Sequence, residues 1–382
     1  MSAAGWTCRR QPGWRPPRGR AGRTGRGRGR ASCSTSVKAG EKDLQHTGRR
    51  PPTPDFSART ARAVSGAEDI RRLLDTGNVK RERIAATRGM QETTVAESAA
   101  PGMMGAMRQF QGRIVFNEPC GPKCRKIRVE VPERLVRYEP GQFFHIRCAA
   151  GTDPLLRRPF SVYAVKTDAG GWVQHLDFLV LVVGHGTRVL AAHAAGGMLD
   201  LLGPLGKGFR PPPEPARHVM IAGGVGIAPF YDLAEHLLAR AAGGPAPDIT
   251  LLFGSRTKDE LYALDALQRL GIGIRVATDD GSAGHRGFVT DLLGPALDEA
   301  APGAMAIQLY ACGPEPMLDA VIRIARERQV PAQLSLDRRM GCGLGACGAC
   351  VCKVSAPASP DGWDYIRICR EGPVVDAARL AP

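Results

Sequence analysis

The sequence predicts a β barrel plus α/β architecture: an antiparallel barrel, then a parallel-sheet half, then a small cysteine-rich lobe at the C-terminus. Three observations predict it. Short apolar runs divided by turn residues recur through residues 108–208, the spacing of a small barrel. From residue 217 strand-like and helix-like segments alternate, which builds a parallel sheet. Cys342, Cys347 and Cys350 then stand at C-x4-C-x2-C spacing among Gly343, Gly345 and Gly348.

In the first part, residues 111–115 and 126–131 are strand-like, the second alternating Ile127, Val129 and Val131 with charged residues. Residues 141–148 and 176–183 follow, split by the Asp/Gly turn signals of 168–171. In the second part, 218–222, 249–253, 274–278 and 306–312 read as strands. Helices are expected from the glycine turn at 223 to about Arg240, over 260–270, from 290 and over 316–328. The expected domains are 1–105, 108–212, 216–330 and 331–382.

The net charge of +15 suggests a nucleic-acid binder until it is located. Residues 1–105 hold 21 Lys/Arg and 9 Asp/Glu, which leaves the remaining chain at only +3. No nucleic-acid partner is expected for the folded part. Residues 1–65 are rich in Arg, Gly, Pro and Ser and bury too little apolar surface to order themselves, so 1–105 is expected to be a disordered extension. An RNA-binding arm is one reading, though it lacks interleaved aromatics for stacking. A transit peptide is another, since residues 1–40 contain no Asp or Glu, but their Gly and Pro content disfavours the amphipathic helix. The third reading, a mis-assigned start, accounts best for the composition: it is translated upstream sequence, with the start at Met90, Met103, Met104 or Met107. Residues 66–88 read as a short helix with no chemistry. The longest apolar run, 178–183, is a buried strand rather than a membrane span. Eleven cysteines without a secretory h-region suggest a reducing, cytoplasmic setting.

The chemistry lies at strand ends and in the cysteine loop. Gly223, Gly224 and Gly226, with Pro229, join a strand to a helix. Gly313-Pro314 follows the strand ending at Cys312 in the same way. Such turns let backbone approach a pyrophosphate, and they also serve as plain β-to-α connections. Cys312 points into the crevice between them or packs as a small buried residue. Arg158-Pro159-Phe160-Ser161 offers a forked cation in a stiffened turn. Gly184, Gly186 and Thr187 offer an anion-friendly turn before a helix.

The cysteine spacing is that of a plant-type [2Fe–2S] site, which takes four thiolates. Cys369 is the preferred fourth ligand, with Cys352 a substitute at C-x-C spacing from Cys350. A zinc site usually shows two C-x2–4-C pairs, and a disulfide knot needs an oxidising compartment, so both fit less well.

Taken together, these motifs resemble the ferredoxin–NADP reductase superfamily, and within it the electron-transfer subunits of heteromeric dihydroorotate dehydrogenase (the B type), over about residues 108–380. Carriers of the resemblance are Arg158–Ser161 as R-P-x-S, Gly184/Gly186/Thr187 as G-x-G-T and Gly223/Gly224/Gly226/Pro229 as G-G-x-G-x-x-P. Cys312/Gly313/Pro314/Met317 match C-G-P-x-x-M. Residues 203–209 and 278–282 are also similar. Most specific is the run from Met340 to Cys350, followed by Cys369 ahead of Gly372-Pro373-Val374. The resemblance implies an FAD-binding barrel, an NAD-binding parallel-sheet domain and an iron–sulfur lobe. It implies FAD contacts at Arg158, Pro159, Phe160, Ser161, Gly184, Gly186, Thr187 and the backbone of Leu179, Val180 and Leu181. It implies NAD contacts at Gly223, Gly224, Gly226, Pro229, Gly313 and Pro314, with Cys312 near nicotinamide and flavin. Cluster ligation would fall to Cys342, Cys347, Cys350 and Cys369.

The implied role is that of an oxidoreductase subunit in pyrimidine synthesis. It would exchange electrons between NAD(H) and an FMN-containing catalytic subunit, as a heterotetramer of two of each chain with no membrane involvement. Sulfhydrogenase, sulfite reductase and NADH-dependent ferredoxin:NADP reductase subunits share the layout and are the alternatives. Departures are the missing aromatic-basic pair at 179–181, Asp337 where the family commonly has Glu, and the basic tail.

Overall fold

The computed structural model describes residues 107–241, 244–299 and 305–380. The expectations for residues 1–105, including the extension, the helix at 66–88 and the alternative starts before Met107, lie outside the described residues.

Six strands form a closed antiparallel barrel in the order β1-β2-β5-β4-β3-β6. They are β1 (Arg108–Pro119), β2 (Cys124–Glu130), β3 (Phe143–Arg147), β4 (Arg158–Thr167), β5 (Val173–Leu181) and β6 (Met198–Leu205). Helix α1 (His185–Ala191) lies between β5 and β6. Alternation drives this part: along β1, Phe110, Gly112 and Ile114 point inward and their neighbours outward. A register shift between Ile114 and Phe116 bends β1 around the barrel. Phe144 and Phe178 meet edge-to-face at 6.0 Å in the core. The buried Asp177 carboxylate is held by Arg128 at 2.6 Å and Lys126 at 3.1 Å, which compensates its removal from water.

The second part is a seven-stranded sheet in the order β10-β9-β8-β7-β11-β12-β15. Its members are β7 (Ala216–Gly223), β8 (Ile249–Ser255), β9 (Gly273–Thr278), β10 (His285–Arg286), β11 (Ala306–Cys312), β12 (Ala332–Ser335) and β15 (Val374–Asp376). All neighbours run parallel except β15, which returns antiparallel to β12. The helices between them are α2 (Ala228–Arg240), α3 (Leu264–Gln268), α4 (Leu293–Asp298) and α5 (Glu315–Glu327). In α5 the buried Leu318, Val321 and Ala325 recur every three to four residues and seat one stripe on the sheet. The lobe adds a two-stranded sheet, β13 (Val351–Ser355) with β14 (Trp363–Arg367), and the short helix α6 (Ile368–Glu371).

Three expectations change. The helix expected over 260–270 is only α3, because Ala263 turns left-handed (φ 56°) and Tyr262 is drawn into the core. There Tyr262 lies against Gly121, where a Cβ would stand 2.6 Å from its ring. Arg158–Ser161, read as a turn leading into a strand, is the first stretch of β4 itself. Proline is tolerated there because Arg158–Ser161 pair with β3 on one edge, while the ladder to β5 starts only at Val162. The sheet also passes residue 330: β12 and β15 belong to it.

The junction of barrel and lobe is tight. Lys207 N–H donates to the Gly372 carbonyl at 2.6 Å and Gln142 Nε2 donates to the Gly206 carbonyl at 3.0 Å. Gly206 sits at φ +71°, and a Cβ there would lie 2.4 Å from the Gly372 oxygen. Gly206→Ala is therefore expected to cost about 1–3 kcal/mol. Gly196→Ala, at φ +85° in open space, should cost only about 1 kcal/mol. Urea midpoints of the two variants against the parent provide the measurement.

Candidate flavin, nicotinamide and cluster sites

Where β4 leaves β5, the barrel opens on one side. Leu179–Leu181 pair with β2, and Arg158–Ser161 pair with β3. Between them the main chain of 179–181 is left without a β4 partner. Val180 packs into the barrel core, while Leu179 packs toward the α/β half. The side chains are thus engaged and the backbone is the part left to a ligand. Arg158 is brought against Gly186, where a Cβ would lie 3.2 Å from the guanidinium. It takes part in no ion pair among the described residues and donates only to the carbonyls of Leu156 and Arg157. Its neighbour Arg157 is committed to Asp200 at 2.7 Å. Phe160 packs edge-on against Phe178 at 6.5 Å, and Ser161 pairs with Phe143.

Thr187 does not present a free hydroxyl. Its Oγ accepts from the N–H groups of Val183 and Gly184 and donates to the Gly184 carbonyl, capping α1. Gly184 itself faces open space. One cation, one open glycine and an unpaired strand edge thus converge, a donor set suited to the phosphates and ring edge of a flavin dinucleotide.

The two glycine turns of the sheet touch each other. β7 and β11 are neighbours, with Ala222 opposite Cys312. A Cβ on Gly226 would lie 2.3 Å from the Cys312 carbonyl, one on Gly223 2.7 Å from Pro314 Cδ, and one on Gly313 2.6 Å from Met317 Cε. Close packing of the turns accounts for those three glycines. Gly224, at φ +55° with nothing within 4 Å, is the one that leaves backbone open to a ligand. Pro229 is buried in the first turn of α2. Cys312 ends β11 in this crevice, and burial pushes its thiol up to about 12 despite a hydrogen bond with Ser335. It is a neutral thiol near neutral pH, suited to packing rather than to nucleophilic attack.

In the lobe the four cysteines come together as two pairs. Cys342 Sγ accepts from the N–H groups of Leu344 (3.3 Å) and Cys347 (3.5 Å) and lies beside the Cys347 thiol. Burial pushes the Cys342 thiol up, but these donors outweigh it and bring it down to about 6. Cys350 Sγ accepts from the Cys369 N–H at 3.4 Å. Burial, with the adjacent Cys350 thiol, holds Cys369 up at about 12. Cys352 turns to the Lys353 carbonyl instead. Among the described residues no three Cys, His, Asp or Glu side chains form a single-ion site. Paired thiols suit a binuclear cluster, in which each iron takes two protein ligands.

Two contributors escaped the sequence reading. His145 in β3 is fully buried, and both ring nitrogens lack a partner. It pairs with Pro159 on one side, and on the other its ring meets Gly343, where a Cβ would stand 2.6 Å from Nδ1. Burial, reinforced by the charge of Arg157, pushes it down to about 4, so the ring is neutral. A histidine inside an apolar strand carries no sequence mark that distinguishes it from a core residue. Arg367 donates to the Gly345 carbonyl at 3.2 Å while held by Glu371. Its sequence position, two before Cys369, was the available signal.

A barrel joined to a nucleotide-type sheet and a four-cysteine lobe defines an oxidoreductase of the reductase type that passes electrons through the chain. Residues 337–381 match the iron–sulfur cluster binding domain of dihydroorotate dehydrogenase B, and residues 220–323 match the oxidoreductase NAD-binding domain. Similar relatives are the dihydroorotate dehydrogenase B (NAD(+)) electron transfer subunits of Bacillus mycoides (strain KBAB4) and Bacillus cereus (strain Q1). Each is 39% identical over 279 residues, which is 70% of this chain and 97% of the relative. Among solved structures, an NADH-dependent reduced ferredoxin-NADP oxidoreductase is similar with a TM-score of 0.58 and 29% identity, over 71% of this chain and 89% of the other. The chain belongs to the family of dihydroorotate dehydrogenase B electron transfer subunits.

Contact between Gly343 and His145 makes a direct prediction. Gly343→Ala places a methyl into the ring at φ +73° and should loosen the loop from the barrel. Amide hydrogen exchange over 341–348 is expected to speed up while exchange in β1 and β2 stays unchanged. Unchanged exchange over 341–348 would contradict the docking role of this glycine.

Proposed function

We propose that this chain is the electron-transfer subunit of an NAD-linked dihydroorotate dehydrogenase complex in de novo pyrimidine (UMP) biosynthesis. It serves an FMN-containing catalytic subunit, in a cytoplasmic heterotetramer of two chains of each kind. The observation that carries the reading is strand β3. His145 in this strand lies between Pro159 of the R-P-x-S segment and Gly343 of the cysteine loop. One strand thereby links the flavin-type and cluster-type sites.

The residues divide the work. Arg158, Gly184 and Gly186 would hold the FAD phosphates, with the backbone of Leu179, Val180 and Leu181 along the ring and Pro159, Phe160 and Ser161 shaping the pocket. Gly223, Gly224, Gly226, Pro229, Gly313 and Pro314 would receive NAD(H), with Cys312 packed beside the reacting rings. Cys342, Cys347, Cys350 and Cys369 would hold the [2Fe–2S] cluster. When bound, FAD supplies conversion between two-electron exchange with nicotinamide and one-electron exchange with the cluster. The chain's own tasks are to exclude water, fix the two sites on β3 and present the loop outward. Leu344 in the loop, with Val351 and Tyr365 on one face of the β13–β14 ribbon, leaves large apolar side chains exposed. That is the kind of surface a partner covers.

The second reading, a subunit of an NADH-dependent ferredoxin:NADP reductase, draws on the structural neighbour named above; its 29% identity is below the 39% of the dihydroorotate relatives. Copurification decides between them: an FMN-containing dihydroorotate-oxidising chain supports the first reading, and a ferredoxin-linked partner supports the second.

Cofactor content tests the sites. The purified chain should show flavin absorbance and a reducible [2Fe–2S] signal by EPR. Cys369→Ser should lose the cluster and keep the flavin, whereas Cys352→Ser should keep both. A cluster intact in Cys369→Ser and absent in Cys352→Ser would transfer the fourth ligand to Cys352.

A further inference from the structure

Outside the cluster loop, the fold assembles one pair of cysteines among the described residues. Cys120 and Cys124 lie on the hairpin joining β1 to β2. The register that sets Pro119 opposite Arg125 sets Cys120 opposite Cys124, and Cys120 N–H donates to the Cys124 carbonyl at 2.9 Å. The Cys124 N–H turns back to the Gly121 carbonyl at 3.4 Å, and residues opposed across an antiparallel pair have Cα atoms about 4.5–5.5 Å apart, within the span a disulfide bridges. The two thiols lie side by side. Cys124 is buried, and Cys120 is half-buried at the rim of the same cluster.

We propose that Cys120 and Cys124 form a redox-active dithiol, oxidised to an intramolecular disulfide by hydroperoxides. The roles of the two sulfurs follow from their surroundings. Cys120 has access to solvent and sits near Lys126 and Arg125. The neighbouring Cys124 thiol, with those two charges, holds it below the ordinary thiol value against the effect of burial. Cys124, whose thiol donates to the Arg125 carbonyl at 3.9 Å, is held well above the ordinary value by the adjacent Cys120 and by burial.

Cys120, the accessible sulfur beside two cations, is thus the attacking group and the buried Cys124 the resolving thiol. In the first step the Cys120 sulfur attacks one oxygen of hydrogen peroxide, the O–O bond breaks, and Cys120 sulfenic acid and hydroxide result. In the second, the Cys124 sulfur attacks the sulfenic sulfur. The S–S bond forms, the S–O bond breaks, and the Cys124 proton leaves with the departing hydroxide as water. Overall two thiols and one peroxide give one disulfide and two waters.

Only three residues separate the cysteines, so the bond constrains the unfolded chain little. Its role is chemical rather than a structural staple. The hairpin is nonetheless well connected. The Lys123 carbonyl accepts from Val182 N–H at 2.7 Å, two residues before Gly184, and Gly121 packs on Tyr262 of the α/β half. The dithiol therefore lies at the junction of the barrel, the flavin-type turn and the α/β half.

The test is peptide mapping of the purified full chain with its cofactors. The protein is treated with a small molar excess of hydrogen peroxide, denatured in iodoacetamide and digested with trypsin without reductant. Lys123 lies between the cysteines, so trypsin separates 114–123 from 124–125 and only a disulfide keeps them joined. The expected result is the joined pair, two hydrogens lighter than the free peptides combined and released by dithiothreitol. In Cys124→Ala, dimedone should label Cys120. Recovery of both cysteines alkylated, at a dose that oxidises other thiols in the same sample, would overturn the proposal. So would Cys120 joined to any other cysteine in the parent protein.

Discussion

The cysteine lobe has no stable core of its own, and the rest of the site depends on how it is gripped. A two-stranded ribbon is marginal alone, and β13–β14 is such a ribbon. It is fixed at both ends by the larger sheet: β12 leads into it and β15 closes it antiparallel on β12. The barrel adds two contacts, Lys207 to Gly372 and His145 to Gly343. Both depend on a missing side chain, since Gly206 and Gly343 are positions where a Cβ would strike the neighbour. Close approach at bare backbone, of Lys207 to Gly372 and of the His145 ring to Gly343, is what brings a cysteine loop within reach of a barrel without a linker.

The grip explains why the cysteines are prearranged as pairs. Cys369 lies in α6, where its N–H donates to Cys350 Sγ and the preceding Ile368 N–H to the Cys350 carbonyl at 2.9 Å, while Gly372-Pro373 anchors the segment behind it. Arg367 joins the same segment to the loop through the Gly345 carbonyl. A preorganised set of thiols lowers the ordering cost of binding. The two ends of the set differ in acidity, with Cys342 near 6 and Cys369 near 12. Loading must therefore release a proton from Cys369, whereas Cys342 is already largely ionised near neutral pH.

Much of this was legible in the sequence because the physics was local. Alternation in β1 and β2 and the three-to-four spacing of α5 are properties of single segments. So are the glycine turns at 223 and 313 and the C-x4-C-x2-C spacing. What escaped was set by partners distant in the chain. β12 is four residues and β15 three, and neither has a pattern until β11 supplies the edge. The start of β4 read as a turn because Pro stiffens turns and is depleted in strands, and its edge position became visible only with β5 in place. Tyr262 delayed the start of a helix by packing on a hairpin about 140 residues earlier in the chain.

The glycines show where a motif reading and a packing reading diverge. A run such as Gly223-Gly224-x-Gly226 invites one explanation for all its members, backbone approach to a pyrophosphate. The contacts divide it. Gly223 and Gly226 are required by Pro314, Met317 and the Cys312 carbonyl, and Gly313 by Met317. They hold the ends of β7 and β11 together whether or not a nucleotide is present. Gly224 alone is left-handed with open space before it. Substituting a packing glycine would damage the crevice by separating its walls, and substituting Gly224 would do so by crowding its opening. Loss of nucleotide affinity would follow in both cases, but only the first would also lower the stability of the sheet by pushing its central strands apart.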